Sequence, residues 1–108
     1  MATAVIGNSF KVDFGEHVFR LDFHSETQMT WTALTPEGHK PTEQTMTVTI
    51  SRTQVRPDVF MVYWSELSLG VTVVHVQDFE NGKVWTNITM PGGTFVNMSG
   101  TLSPVLRT

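Results

Sequence analysis

The sequence predicts an all-β fold, a single small antiparallel up-and-down β-barrel of about eight strands, with an open two-sheet sandwich of the same core as the alternative. Apolar and polar residues alternate with a period of two along most of the chain, as they do in half-buried strands. Turn residues rich in glycine separate these runs, and no segment shows the periodicity of a helix of three turns. The 108 residues suffice for one domain with its own core, so we interpret residues 1–108 as a single domain.

The first half of the chain contains four predicted strands, at residues 9–14, 17–24, 27–34 and 43–52. The second places Phe19, Leu21 and Phe23 on one face, and polar residues on the other. The third places Trp31 on the same face as Met29. Between the third and fourth strands, two prolines and a glycine in residues 35–41 predict a surface loop that could cover one end of the barrel.

The second half contains predicted strands at residues 58–66, 70–78, 83–90 and 94–102. Short turns join them, so successive strands should be neighbours in the sheet. The strand at 58–66 is apolar on both faces, with Val62 and Trp64 on one and Met61 and Tyr63 on the other. Because a barrel buries only one face of each strand, we expect a partner chain or a terminal segment to cover the second face, and we predict a homodimer.

Composition argues against several classes of function. The chain has no cysteine, which excludes disulfides and thiolate metal sites and fits a cytoplasmic protein. The net charge is −3 and the seven Lys and Arg residues are scattered, which argues against nucleic-acid binding. No apolar stretch reaches the roughly 18 residues of a membrane span, and the N-terminal residues lack a signal-peptide pattern. We therefore expect a cytoplasmic protein that binds neither nucleic acid nor membranes.

The histidines do not predict a metal site. None of the four histidines pairs with another at a spacing that would set two ligands on one buried face beside a carboxylate. His75 alternates with Val74 and Val76, and we predict that it points away from the barrel interior. We expect no metal and no other cofactor.

The strongest candidate for chemistry is Glu66, at the end of the run "VYWSE". Alternation puts its side chain on the same face as Val62 and Trp64. A carboxyl group in such apolar, aromatic surroundings can give or take a proton near neutral pH. A glutamate at a strand end is more often an ordinary charge that faces water, and the pattern alone favours that interpretation.

Two segments resemble a known family. "FRLDFHSETQMTW" and "VFMVYWSELSLGVTVVHVQDFENGKVWTNITMPGGTFVNMSGTL" are similar to the domain of the molybdenum cofactor biosynthesis protein F family, called MoaF-like. This resemblance covers most of the chain and implies a calycin barrel related to the lipocalins. It does not imply a role in cofactor synthesis, because one fold hosts many functions.

The chain has a more distant similarity to the phenolic acid decarboxylases. In that family a strand ending in Ser-Trp-Thr-Glu supplies a glutamate credited with proton transfer, and Glu66 occupies the matching position here. The family's two tyrosines are replaced by Val12 and Phe14, and its arginine falls near Glu43 or Gln44. The resemblance therefore implies a general acid/base without the groups that anchor a phenolic acid.

Three hypotheses about function follow. The first is a protein that binds a small, largely apolar molecule, such as an aromatic or carbonyl-bearing compound, in the barrel interior. The second is a cofactor-free lyase, isomerase or cyclase with Glu66 as general acid/base, and the third is a structural dimer with a filled barrel. The predicted pocket residues, some of them placed by the decarboxylase register, are Trp31, Val62, Trp64, Thr72, Val74, Ile88 and Met90.

Overall fold

The computed structural model describes residues 4–105, which fold into nine strands and one 3-10 turn. Within this range no helix is long and apolar enough to cross a membrane. The strands in chain order are β1 (Ser9–Asp13), β2 (Val18–Phe23), β3 (Gln28–Leu34), β4 (Pro41–Thr49), β5 (Ser51–Arg56), β6 (Val59–Glu66), β7 (Val71–Asp78), β8 (Lys83–Thr89) and β9 (Phe95–Pro104), with the 3-10 turn at Pro91–Gly93 between the last two.

All nine strands belong to one antiparallel sheet, in the order β4-β3-β2-β1-β9-β8-β7-β6-β5. Each pair of neighbours is consecutive in the chain except β1 and β9, which join the two ends of the chain. The sheet curls into a half-barrel with β4 and β5 as its edges, and β4 approaches β6 across the interior. The predicted all-β, antiparallel, up-and-down architecture is confirmed.

The ninth strand comes from a bend at Ile50, inside the single strand predicted at residues 43–52. Ile50 leaves the ladder and donates its backbone N–H to the carbonyl oxygen of Thr27, at 2.9 Å. Its side chain is buried, as is that of Val48 two positions earlier, while Thr49 and Ser51 are exposed. Burial therefore alternates without interruption through the bend, which is why a period of two could not reveal it.

The core occupies the concave side of the sheet. One face of each strand from β1 to β3 and from β6 to β9 contributes to it, and period-two burial is clearest in β1, where Phe10 and Val12 are buried between half-buried neighbours. The apolar residues that are at most 5% exposed are Val5, Phe10, Val12, Val18, Leu21, Phe23, Met29, Ile50, Val62, Val84 and Leu102.

Gly100 allows β1 to cross β9 at very short range. A Cβ atom at this position would collide with the carbonyl oxygen of Asp13, so only glycine fits the crossing. Phe14 directly follows Asp13 in the chain, and its ring centroid lies 6.2 Å from that of His75. The close crossing thus directs an aromatic side chain toward the interior from the end of β1.

The loop at residues 35–40 lies against the outer face of the sheet. Thr35 and Lys40 close it through a 2.8 Å backbone hydrogen bond. His39 contacts the outward-facing Lys11 of β1, with 3.0 Å between Nδ1 and Nζ. His39 therefore ties the end of this loop to β1, while Thr35 and Pro36 at its start lie beside Phe19 and Gln44, and its covering one end of the barrel stays a prediction.

Candidate functional site

Glu66 ends β6 with its side chain buried, at 7% exposure. Its Oε1 accepts two hydrogen bonds from indole N–H groups, one from Trp64 Nε1 at 2.9 Å and one from Trp31 Nε1 at 3.0 Å. No described residue donates to Oε2. The carboxyl group does not simply face bulk water, and one of its oxygens is held in place while the other is left for another partner.

Two different parts of the chain create this arrangement. Alternation along β6 puts Trp64 and Glu66 on the inner face, two residues apart. Trp31 comes from β3, on the other side of the half-barrel, and its ring packs edge-on against Phe19 at 5.9 Å between centroids. Curling of the sheet is therefore what brings the second indole to the carboxyl group.

Glu66 borders an interior cavity of about 260 Å³. Exposed Gln44 and Leu69 mark its mouth, near the open edge of the half-barrel. The wall is largely apolar and aromatic, which is typical of sites for small organic molecules. The lining residues are Phe14, Phe19, Leu21, Trp31, Gln44, Glu66, Leu69, Val71, Val73, His75, Thr86, Ile88 and Met98.

His75 lies in the cavity wall and is 6% exposed. Burial lowers its pKa from 6.5 to about 4, because an apolar environment penalises the charged ring, so His75 is neutral at pH 7. Gln77 donates its amide Nε2 to His75 Nδ1 at 3.1 Å, which places the ring hydrogen of the neutral histidine on Nε2. No described residue accepts from Nε2. His75 is thus an uncharged hydrogen-bond donor.

Thr86 supplies another polar group without a partner. It is opposite His75 in the β7–β8 ladder, and opposite residues in an antiparallel pair point to the same face. Its Oγ1 is buried and has no hydrogen-bond partner among the described residues. Such a hydroxyl costs stability unless something else satisfies it, so it marks a position where a bound molecule could make a bond.

No positive charge lines the cavity. Glu66 is its one acidic residue, and the lining contains neither lysine nor arginine. The described arginine side chains pair elsewhere: Arg20 with Asp22, Arg52 with Glu26, and Arg56 with Asp78 and Glu80.

The predicted pocket residues divide into three groups. Trp31 and Ile88 line the cavity. Val62 and Trp64 face the interior but are packed into the core, where Trp64 acts through its hydrogen bond to Glu66. Thr72, Val74 and Met90 do not line the cavity, so their predicted place in the pocket is wrong.

The error in β7 has a specific cause. The β6–β7 hairpin pairs Glu66 with Val71, Trp64 with Val73 and Val62 with His75, so the odd-numbered residues of β7 face inward. The decarboxylase register had assigned the even-numbered residues, Thr72 and Val74, to that face, and His75 to the outside. Counting outward from a four-residue turn at Leu67–Gly70 would have placed His75 opposite Val62 and inside the barrel.

Met90 is excluded for a different reason. It follows the end of β8 and begins the tight turn, accepting a hydrogen bond from the backbone N–H of Gly93 at 3.1 Å. The chain has already left the strand direction at this point, and Met90 is 41% exposed.

A second concavity, of about 270 Å³, lies between the N-terminal segment and β9. Its walls include Ala4, Phe10, Phe79 and Pro104, and none of its lining residues is ionisable. We therefore take the cavity beside Glu66 as the candidate site, since it alone of the two combines an apolar wall with an acid, a neutral histidine and an unpartnered hydroxyl.

Comparisons with known proteins agree with this fold. The sequence model of the MoaF-like family matches residues 6–103, which confirms the resemblance drawn from the sequence. A comparison with curated proteins gave no match. Among solved structures, the crystal structure of a protein from Burkholderia vietnamiensis, provisionally named a beta-lactamase, superposes with a TM-score of 0.82 at 22% identity, covering 97% of this chain and 99% of that one. At that identity the likeness concerns the fold alone.

Proposed function

The chain belongs to the MoaF-like family, and on that premise we propose that its half-barrel binds a small, largely apolar molecule in the cavity beside Glu66. The observation that carries this proposal is that the two oxygens of the Glu66 carboxyl group differ in their hydrogen bonding. Two indoles hold Oε1, and Oε2 has no described partner although the group is buried. Oε2 is not one of the fully buried atoms, so it keeps accessible surface beside the cavity, and a fixed acceptor in an apolar wall supports an interaction with a ligand.

The cavity supports ligand binding over a purely structural role. A filled barrel would leave no space beside Glu66, whereas about 260 Å³ is open there. Phe14, Phe19 and Trp31 supply flat apolar surfaces suited to an aromatic or similarly shaped molecule.

A thermal-shift screen of small aromatic and carbonyl compounds tests the proposal. A ligand that binds only the folded protein raises the melting temperature by mass action. Hits should lose their effect when the cavity is filled by Val73→Phe, and should keep it in Val74→Phe, which changes a residue on the opposite face of the same strand. A screen whose hits respond equally to both variants would contradict binding in this cavity.

The same carboxyl group supports a second candidate function, a cofactor-free lyase, isomerase or cyclase. Because the indole hydrogens both point at Oε1, a proton taken up by Glu66 would lie on Oε2. A positioned carboxyl group with one free oxygen is what general acid/base catalysis requires.

Glu66→Gln separates the two candidates. Glutamine keeps a carbonyl oxygen that can accept from the two indoles, but its amide group cannot act as a general acid or base. A binding protein would retain affinity for some hits, whereas an enzyme would bind its substrate and lose turnover by roughly two orders of magnitude or more.

We also propose that a second copy of the chain covers the outer face of β6 to β8. Trp85 and Tyr63 are exposed there at 44% and 37%, beside the half-buried Met61, Val74 and Val76. The centre of this face carries no charged residue, so a twofold axis through it would not bring like charges together. Self-association would remove this apolar surface from water.

A further inference from the structure

The polar groups of the cavity define what kind of head group a ligand must carry; this step rests on the binding function proposed above. Glu66 Oε2 is an acceptor in need of a donor. His75 offers Nε2–H as a donor, and Thr86 offers a buried hydroxyl that has no partner among the described residues. The wall of this one cavity therefore presents both an acceptor and donors.

The charges of the lining residues restrict the ligand's head group further. The cavity is lined by one acid and by no lysine or arginine, and its histidine is neutral at pH 7. An anionic head group would lose its hydration without meeting a cation, and it would lie beside a carboxyl group. A cationic amine could bind Glu66, but it would leave the Nε2–H of His75 facing another donor.

We propose that the ligand is an uncharged aromatic carboxamide or lactam, whose N–H donates to Glu66 Oε2 while its carbonyl oxygen accepts from His75 Nε2 and the Thr86 hydroxyl. An amide carries a donor and an acceptor side by side without net charge. It therefore supplies the donor that Glu66 needs and the acceptor that His75 and Thr86 need. The aromatic body would pack against Phe14, Phe19 and Trp31.

Carboxylates of the same shape are the matched competitors. A carboxamide and a carboxylate are nearly isosteric, so they fill the cavity equally and differ in charge and in the N–H donor. A site built to accept an N–H hydrogen bond rejects an analogue that lacks it, because its own buried group is left unpaired. The corresponding methyl ketone keeps the carbonyl oxygen and loses only the donor.

Isothermal titration calorimetry with 3-phenylpropanamide, 3-phenylpropanoate and 4-phenylbutan-2-one tests this inference. We expect the amide to bind at least about tenfold more tightly than the carboxylate, with the ketone between them. In Glu66→Gln the side chain can donate where Oε2 accepted, so the advantage of the amide over the carboxylate should shrink to near equality or reverse. Glu37→Gln makes the same chemical change in the exposed loop and should leave the ratio unchanged.

The outcomes separate the inference from the proposed function. Equal or tighter binding of the carboxylate to the unmodified protein would overturn the amide assignment while leaving small-molecule binding intact. An amide preference that survives Glu66→Gln would also overturn it, since the preference would then arise elsewhere. Absence of binding by all three compounds at millimolar concentration would refute this ligand class, and the wider thermal-shift screen would decide separately whether the cavity binds anything.

Discussion

Trp31 and Glu66 lie 35 positions apart in the sequence, and a 3.0 Å hydrogen bond from the indole to the carboxyl oxygen joins them across the half-barrel. Hydrogen bonds to carboxylates are stronger than those between neutral groups. We therefore expect Trp31→Phe to lower the free energy of unfolding by about 2 kcal/mol. Urea denaturation monitored by circular dichroism measures this change.

Trp85→Phe is the matched control for that substitution. Trp85 is exposed on the outer face, and no hydrogen bond from its indole is among those of the described residues. The same truncation there should change stability by less than about 0.5 kcal/mol. Equal losses in the two variants would show that the link between Trp31 and Glu66 adds nothing beyond ring size.

Thr86→Val should stabilise the protein and weaken ligand binding. Valine has nearly the same shape, and the change removes a buried hydroxyl that has no partner in the described structure. We expect a gain of about 1 kcal/mol in unfolding free energy. Thr32→Val is the control, because the Thr32 hydroxyl is hydrogen-bonded to the Thr45 hydroxyl at 3.0 Å. Removing this bond should lower the free energy of unfolding. A loss of stability in Thr86→Val would mean that the hydroxyl is already satisfied.

Stability should fall between pH 6.5 and pH 4 because of His75. Burial lowers its pKa from 6.5 to about 4, so in this window the unfolded chain binds a proton that the folded chain does not. The contribution is fully present above pH 6.5 and amounts to roughly 3 kcal/mol lost by pH 4. Urea denaturation across this range should show the slope, and His75→Gln should flatten it.

Asp78 acts in a separate pH range. The side-chain hydrogen bond from Asn81 is the main cause that lowers its pKa below 3.8, so its contribution is present above that pH and disappears as the pH falls below it. A slope between pH 6.5 and pH 4 that persists unchanged in His75→Gln would contradict the assignment to His75.

Trp85→Asp should disrupt self-association. It introduces a charge into the uncharged centre of the outer face, and a twofold dimer would remove each new carboxylate from water. We expect the dimer dissociation constant to rise at least about tenfold in sedimentation-equilibrium experiments. Leu67→Asp is the control, since Leu67 is 90% exposed in the β6–β7 turn. A monomeric unmodified protein, or equal effects of the two variants, would contradict this interface.

The sequence predicted the strands well because one face of most of them is buried, and period-two alternation reports that directly. It placed Trp64 and Glu66 on the inner face for the same reason. The bend at Ile50 was invisible because burial alternates through it. The prediction of which face of β7 points inward was wrong, because a one-residue shift in register exchanges the two faces of a strand. The same shift placed His75 on the outside. The meeting of Trp31 with Glu66 depends on sheet curvature, which no local pattern records.

The central claim is that a small molecule binds beside Glu66, and the three indole N–H signals of the protein in a ¹H–¹⁵N NMR spectrum test it most directly. Trp31 and Trp64 both bond to Glu66, whereas Trp85 lies on the outer face. A ligand in the cavity should shift the signals of Trp31 and Trp64 and leave that of Trp85 in place. A stabilising ligand that shifts Trp85 alone, or none of the three, would contradict the claim.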